Sequence, residues 1–347
     1  MRIHRVLALC LAIGLMGGLG VARASGLEGV RSYSHIVELI LENENYNTSW
    51  GPGSVAHYLN SLRAEGAFAD QYFATGHASL DNYIALVSGQ PDQPVTGSDC
   101  LAVNFWVCVQ GQSAFAGGRN LADQLEEKQL SWKGYMQTMP SPCFHAPYDP
   151  ASPGPDPYQG NSTAEPAKDY ADRHNPFIYF DDIVGNHARC TQHVRPFTEL
   201  AGDLAADTLP AFSFITPDTC DDGHDAPCAD GRPGGLTSAD LFLRNNVPAL
   251  LDYLNAHDGL LIITFDENGF TDTSFPPGCC SGGLGGVLPG FGGRIGLLAL
   301  GAGITGGRVV HTQYDHMSLL RTVEDSFGIA EHLNNAAMAS PMTDLFG

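Results

Sequence analysis

The chain has 347 residues, 38 acids against 17 lysines and arginines, and a formal net charge of −21. Such an acidic excess repels polyanions at long range, so neither a nucleic-acid partner nor stable membrane association through a basic surface is expected. The length allows one large α/β domain or two ordinary ones.

The first residues read as an export signal. Arg2 and Arg5 form a basic start, Val6 to Val21 is apolar, and Ala22-Arg23-Ala24 has the small-x-small pattern of a cleavage site. The alternative for this stretch is an uncleaved anchor, although it is short for a stable bilayer span. Removing residues 1–24 takes three arginines and no acid, so the charge of −21 becomes −24 on the 323 residues left. This reading places the protein in a periplasm or outside the cell.

Residues 34–41 are an apolar run of strand length, and they end on Glu42-Asn43. Helix 54–65 and strand 67–73 follow. Then comes Thr75-Gly76-His77-Ala78-Ser79-Leu80-Asp81-Asn82-Tyr83, in which Ser79 opens helix 79–88. A hydroxyl there faces unpaired backbone N–H groups and a positive dipole end, which suits a nucleophile that attacks phosphorus. An N-cap is the other ordinary role for such a serine.

Helix 119–128, strand 131–136, helix 196–206 and strand 210–216 continue the alternation. Helix 238–256, strands 259–265 and 294–300, and helix 315–327 complete it. Strands separated by helices imply parallel pairing with right-handed crossovers, hence one doubly wound, mostly parallel sheet with helices on both faces. Residues 139–163 and 269–293 interrupt the pattern as long loops rich in Gly, Pro and small polar residues. Asn47-Thr48-Ser49 and Asn161-Ser162-Thr163 fit the glycosylation sequon, which matters only in a eukaryotic secretory route.

Acids recur where strands end. Asp266-Glu267 closes 259–265 as Glu42-Asn43 closes 34–41, and the strand at 210–216 leads into Asp218 through Asp225 around His224. A divalent cation at one sheet edge resolves such crowding, because hard cations take carboxylate and amide oxygens and zinc adds imidazole. Eight cysteines follow the signal, an even number that favours disulfides in an exported chain. Spacing suggests Cys100–Cys108, Cys220–Cys228 and Cys143–Cys190, with Cys279-Cys280 either bridging each other or pairing elsewhere.

The ordered set Glu42-Asn43, Gly76 to Tyr83, Arg173-His174-Asn175-Pro176-Phe177, Asp222-Gly223-His224-Asp225, Phe265-Asp266-Glu267 and His316 through Gly328 resembles the bacterial phosphoesterase family. That family holds secreted acid phosphatases and phospholipases C and belongs to the alkaline-phosphatase-like superfamily. The resemblance covers roughly residues 34–330. It implies Ser79 as nucleophile and Asn82 as a donor to a phosphate oxygen, with His174, His224 and His316 lining the pocket. It also implies one divalent ion (calcium, magnesium, manganese or zinc) held by Glu42, Asn43, Ser79, Asp266 and Glu267.

Three departures from the family pattern stand out. Glu44-Asn45 competes with Glu42-Asn43 as the first ligand pair. Asp81 replaces a common proline two residues from Ser79. Asp266-Glu267 stands where two-metal relatives have Asp-His. The moderate length resembles the acid-phosphatase branch, which implies a phosphomonoesterase working through a phosphoserine. The alternative is a phosphodiesterase of the phospholipase C type.

Overall fold

The structure is a computed structural model that describes residues 26–101, 103–111, 118–146, 158–165, 168–269 and 292–346. The proposed signal segment and the Cys279-Cys280 pair lie outside them.

Ten strands form: β1 (His35–Leu41), β2 (Ala67–Ala69), β3 (Tyr72–Phe73), β4 (Trp132–Met136), β5 (Val194–Pro196), β6 (Phe212–Thr216), β7 (Gly259–Phe265), β8 (Leu297–Gly301), β9 (Arg308–Val310) and β10 (Tyr314–Asp315). The helices are α1 (Tyr46–Ser49), α2 (His57–Leu62), α3 (Ser79–Ser88), α4 (Leu121–Glu127), α5 (Asp181–Val184), α6 (His187–His193), α7 (Leu200–Ala205), α8 (Gly235–Ala256) and α9 (His316–Ser326), with short 3-10 turns between them.

Eight strands make one sheet in the order β5-β4-β6-β1-β7-β8-β2-β9, and β10 pairs with β3 beside it. All neighbours in the large sheet run parallel except at β8, which opposes both β7 and β2. The fold is therefore α/β with a mostly parallel sheet and helices around it, where α3 packs with α9 and α2 with α8. Strands β1 and β7 read as largely apolar runs, broken by Glu38 and Thr264, because both their faces are covered, and seven of seven residues in β7 are buried.

The structure departs from the pattern reading at the margins. Residues 67–73 do not form one strand: the chain leaves the large sheet at Asp70-Gln71 and re-enters pairing as β3. The helix expected at 196–206 opens as a 3-10 turn, Phe197–Glu199, before α7. Strands β5, β9 and β10 are two or three residues long and lack a visible period. Among the described residues three disulfides form, Cys100–Cys108, Cys143–Cys190 and Cys220–Cys228, which are the three pairs suggested by spacing.

Candidate active site

Two in-register strands deliver the acids to one place. Leu41 of β1 pairs with Phe265 of β7, so Glu42-Asn43 and Asp266-Glu267 leave the sheet at the same height. The backbone stitches them together, with Asp266 N–H donating to Leu41 O at 2.8 Å and Asn43 N–H to Asp266 Oδ1 at 3.1 Å. On the other side of β1, Glu42 N–H donates to Asp222 O at 2.9 Å, which ties in the loop after β6. The competing pair is occupied elsewhere: Glu44 accepts from Thr48 Oγ1 and from Leu236 N–H at the start of α8, and Asn45 precedes α1.

Ser79 sits over this cluster. It is 1% exposed, and its hydroxyl donates to Glu42 Oε2 at 2.9 Å. The preceding residue, Ala78, has φ 129° and ψ 125°, a region that L-residues rarely occupy, so the backbone is strained at the turn that aims Ser79. Glu267 Oε2 holds that turn from below, accepting from Ala78 N–H at 2.9 Å and lying 3.1 Å from His77 Nδ1. Asp99 accepts from Leu80 N–H at 2.9 Å and closes the first turn of α3.

Four carboxyls meet here, each 1% exposed or less. Burial pushes Glu42, Asp222, Asp266 and Glu267 all well above the usual carboxylate range. Neighbouring acids then push further, Asp266 and Asp222 acting on Glu42, and Glu267 on Asp266. His174 is wedged in the cluster, Nε2 3.3 Å from Glu42 Oε2 and Nδ1 3.3 Å from Asp222 Oδ2, with its ring stacked on Tyr83. Burial, then Arg173 and His224, hold that ring toward its neutral form. The acids and the histidine are thus each driven to lose charge, which a wholly proton-linked ion pair would not show.

The donor set fits a hard divalent cation. Glu42 Oε1 and Asp266 Oδ2 are buried without a hydrogen-bond partner among the described residues. The end of the Asn43 amide lies 3.3 Å from Asp266 Oδ1 and 3.0 Å from Glu267 Oε1, where its oxygen would join the acids around an ion. A second grouping, Glu42 with His174 and Asp222, brings one ligand atom from each residue within 4.8 Å of the others, all three buried. That set mixes imidazole with carboxylate, the preference of zinc-like ions.

His224 is the more open histidine, its side chain 29% exposed. Its Nδ1 lies 2.8 Å from Asp225 Oδ1, and burial opposes but does not outweigh the bonds from His224, Ser162 and Thr219 that hold the Asp225 carboxyl down to about 2. Arg173 donates to His224 Nε2 at 3.2 Å and makes a long 3.5 Å contact to Gln159 Oε1. Sequence reading quoted Arg173 within a motif but gave it no role. It is 7% exposed and has no carboxylate within ion-pair distance among the described residues, yet its charge is felt at Glu42, Asp99, Asp222 and Glu267. The signal available was an arginine adjacent to a pocket histidine in an otherwise acid-rich chain.

Two of the expected pocket residues are held by partners within the fold, and Asn82 Nδ2 also lies 3.4 Å from Glu267 Oε2. Asn82 Oδ1 accepts from Thr75 N–H and Oγ1 and from Gly76 N–H, and its NH₂ reaches Gly76 O at 2.9 Å, so the amide braces the nucleophile turn. His316 is fully buried, with Nε2 2.7 Å from Asp266 O and Nδ1 2.8 Å from Tyr72 Oη. A carbonyl only accepts, so Nε2 carries the proton and Tyr72 donates to Nδ1. Burial lowers the pKa of this ring to about 4. Asp81 turns from the site as well, hydrogen-bonded to the Thr96 hydroxyl and to Gln93 N–H.

Residues 43–330 match the model of the phosphoesterase family. The chain is 29% identical over 311 residues to a probable acid phosphatase of Kluyveromyces lactis, covering 88% of this chain and 60% of that protein. It is 27% identical over 245 residues to an acid phosphatase of Aspergillus fumigatus, covering 71% of this chain and 47% of the other. It thus spans about half to three-fifths of these fungal relatives. A phosphatidylinositol-3-phosphatase of Mycobacterium tuberculosis aligns over 100% of this chain and 95% of its own length at 24% identity. Among solved structures, an alkaline phosphatase superfamily protein from Vibrio parahaemolyticus superposes with a TM-score of 0.52 at 13% identity, covering 87% of this chain and 70% of that one. The matched span holds Asn43, Ser79 and Asp266-Glu267 within an alkaline-phosphatase-type sheet, and the chain belongs to the phosphoesterase family.

Proposed function

We propose that the protein is an exported, metal-dependent phosphomonoesterase with Ser79 as its nucleophile. The observation that carries this reading is the Ser79 hydroxyl at 2.9 Å from Glu42 Oε2, above the convergent Asn43, Asp266 and Glu267. Those four residues would hold one divalent ion beside Ser79. When bound, such an ion supplies positive charge that favours the Ser79 alkoxide and the developing charge on the phosphoryl group.

The chain's own residues do the rest. Strain at Ala78 and the Glu267 bonds to its turn fix the Ser79 rotamer range before substrate arrives. Arg173 binds non-bridging phosphoryl oxygens, since a buried guanidinium without a carboxylate partner among the described residues is a ready receptor for a dianion. Ser79 Oγ then bonds to phosphorus as the bond from phosphorus to the ester oxygen breaks, its proton passing to Glu42 Oε2, the acceptor it already faces. The leaving oxygen takes a proton from His224, whose Nε2 faces the site and whose other nitrogen is anchored by Asp225. In the second half, water attacks the phosphoserine, His224 takes the water's proton, and the Oγ–P bond breaks as Ser79 takes its proton back from Glu42, releasing phosphate.

The test is p-nitrophenyl phosphate hydrolysis across pH 4–9 by wild type and Ser79→Ala, with EDTA and with restored divalent cations. Acid-quenched wild type is also digested and searched by mass spectrometry for phosphate on Ser79. Activity that EDTA abolishes, a cation restores and the substitution removes, with phosphate on Ser79, is expected. A Ser79→Ala enzyme of near wild-type rate sinks the mechanism. Phosphatidylinositol 3-phosphate belongs in the substrate panel because of the name borne by the mycobacterial relative.

A further inference from the structure

Beside the site lies a cleft of about 590 Å³ that the mechanism above does not use. Its walls include Phe144, Tyr158 and Tyr170, and Gln159, Asn161 and Lys168 bring polar groups to it. The three rings are set edge to face: Phe144 stands 4.6 Å from Tyr158 at 67° and 5.9 Å from Tyr170 at 73°. This volume falls in the range of small-molecule sites, which are mostly apolar with a few convergent polar groups.

The cleft and the candidate active site share a wall. Gln159 lines the cleft and meets Arg173, whose other nitrogen meets His224, so a single guanidinium spans from one to the other. Tyr170 lines the cleft, His174 touches Glu42, and both border the same small internal void next to β4. Asn175 donates to Tyr170 Oη at 3.0 Å, so the segment 170–175 is braced from end to end.

The aromatic wall is also anchored. Phe144 follows Cys143, which is bridged to Cys190 of α6, and Cys143 N–H donates to Val194 O of β5 at 2.9 Å. Tyr170 Oη donates to Phe144 O at 3.1 Å, and Tyr158 O accepts from Asp172 N–H. A wall held in this way loses little freedom when a ligand enters.

We propose that this cleft is the subsite for the alcohol half of the ester, and that it takes a planar aromatic or heteroaromatic ring. The inference rests on the phosphomonoesterase reading for its orientation: phosphate at Arg173 and Ser79, ring among Phe144, Tyr158 and Tyr170. Rings set perpendicular to one another offer both a face and an edge to a flat guest, and Gln159 and Asn161 suit the polar edge of a heteroaromatic one.

The experiment pairs ligands that differ only in the ring. Affinities of 2-phenylethylphosphonate and n-butylphosphonate are measured by calorimetry for wild type, Tyr158→Ala and Tyr158→Phe. The kcat/KM values of the corresponding phosphate esters, whose alkoxide leaving groups are closely matched, are measured alongside. Wild type should prefer the ring by about tenfold or more in both assays, a size typical of one buried aromatic contact. Tyr158→Ala should reduce that preference to within about twofold by costing the ring compounds more than the butyl ones, and Tyr158→Phe should keep it. Equal affinity of wild type for both phosphonates, equal losses on both in Tyr158→Ala, or no binding of either overturns the cleft assignment. Should neither ester turn over, the phosphatase reading falls, while the phosphonate ratio still decides the cleft.

Discussion

Arg173 lies 3.2 Å from Nε2 of His224, while Nδ1 of the same ring lies 2.8 Å from Asp225 Oδ1. One ring therefore links the buried guanidinium to a carboxylate at the surface of the site. A phosphate dianion has more to offer the guanidinium than an imidazole nitrogen does, so substrate binding should draw Arg173 off His224 and free Nε2 to carry a proton to the ester.

Arg173→Ala should raise KM for phosphate monoesters and the inhibition constant of inorganic phosphate together, by about tenfold to a hundredfold, because a charge-assisted bidentate contact is lost. Arg173→Lys should recover only part of this, since a point charge replaces a planar fork. Steady-state kinetics with phosphate as product inhibitor reads both constants. Unchanged inhibition by phosphate would remove Arg173 from the anion site.

Cation binding should be visible as stability. The raised carboxyls show that the folded state without an ion holds protons that the unfolded chain releases near pH 4. Stability of the EDTA-treated protein should therefore be greatest at mildly acid pH and fall as pH rises. A divalent cation should restore the melting temperature at pH 7–8 in wild type. Asp266→Asn should melt higher than wild type in EDTA, because one buried like charge is gone, and should show no rise on adding the cation. Differential scanning calorimetry with and without EDTA decides this.

Glu38 gives a second pH effect, separable from the first. It is fully buried in the middle of β1, both its oxygens lack a hydrogen-bond partner among the described residues, and burial raises its pKa to about 8. An acid whose folded pKa is raised contributes stability at low pH that is lost between its unfolded value and about 8. Glu38→Gln should accordingly flatten the decline of melting temperature between pH 5 and pH 8 and leave cation affinity unaltered. A slope equal to that of wild type would refute the assignment.

His316 should behave as a positioning residue. Its Nε2–H holds the Asp266 carbonyl, and a pKa near 4 keeps the ring neutral through most of the assay range. His316→Ala should weaken cation affinity and lower the melting temperature, with the shape of the pH–rate profile preserved. Tyr72→Phe removes only the donor to Nδ1 and should cost about 1 kcal/mol of stability, with activity kept within several-fold. Loss of the acid or alkaline limb of the profile in His316→Ala would make the ring a proton carrier after all.

What was readable in advance follows from where the physics is local. Strands β1 and β7 announce themselves because burial on both faces demands mostly apolar residues, and the acids ending them stand out against that background. Short cysteine spacings announce Cys100–Cys108 and Cys220–Cys228 for a similar reason. Strands of two or three residues such as β5, β9 and β10 carry no period, since tertiary contacts alone make them extended. Side-chain direction was the other blind spot. Asn82 and His316 lie in the right segments, but whether a polar group faces a ligand or a backbone carbonyl depends on partners 6 to 50 residues away. Arg173 is hidden from sequence for the converse reason: that no carboxylate among the described residues pairs with it is a fact of three dimensions.

The pairing of Leu41 with Phe265 has a consequence for how this chain tolerates change. A half-exposed strand that slips by one residue betrays itself by putting apolar groups in water. Neither β1 nor β7 has that safeguard, because nearly every position in both is buried and one aliphatic residue serves about as well as another. Their composition is thus free to drift, whereas their length is metered to the residue. Deleting a single leucine from β1 would leave a serviceable strand and a folded sheet. It would also turn the Glu42 side chain to the opposite face from Ser79, leaving a well-packed protein with its ligand pairs out of step.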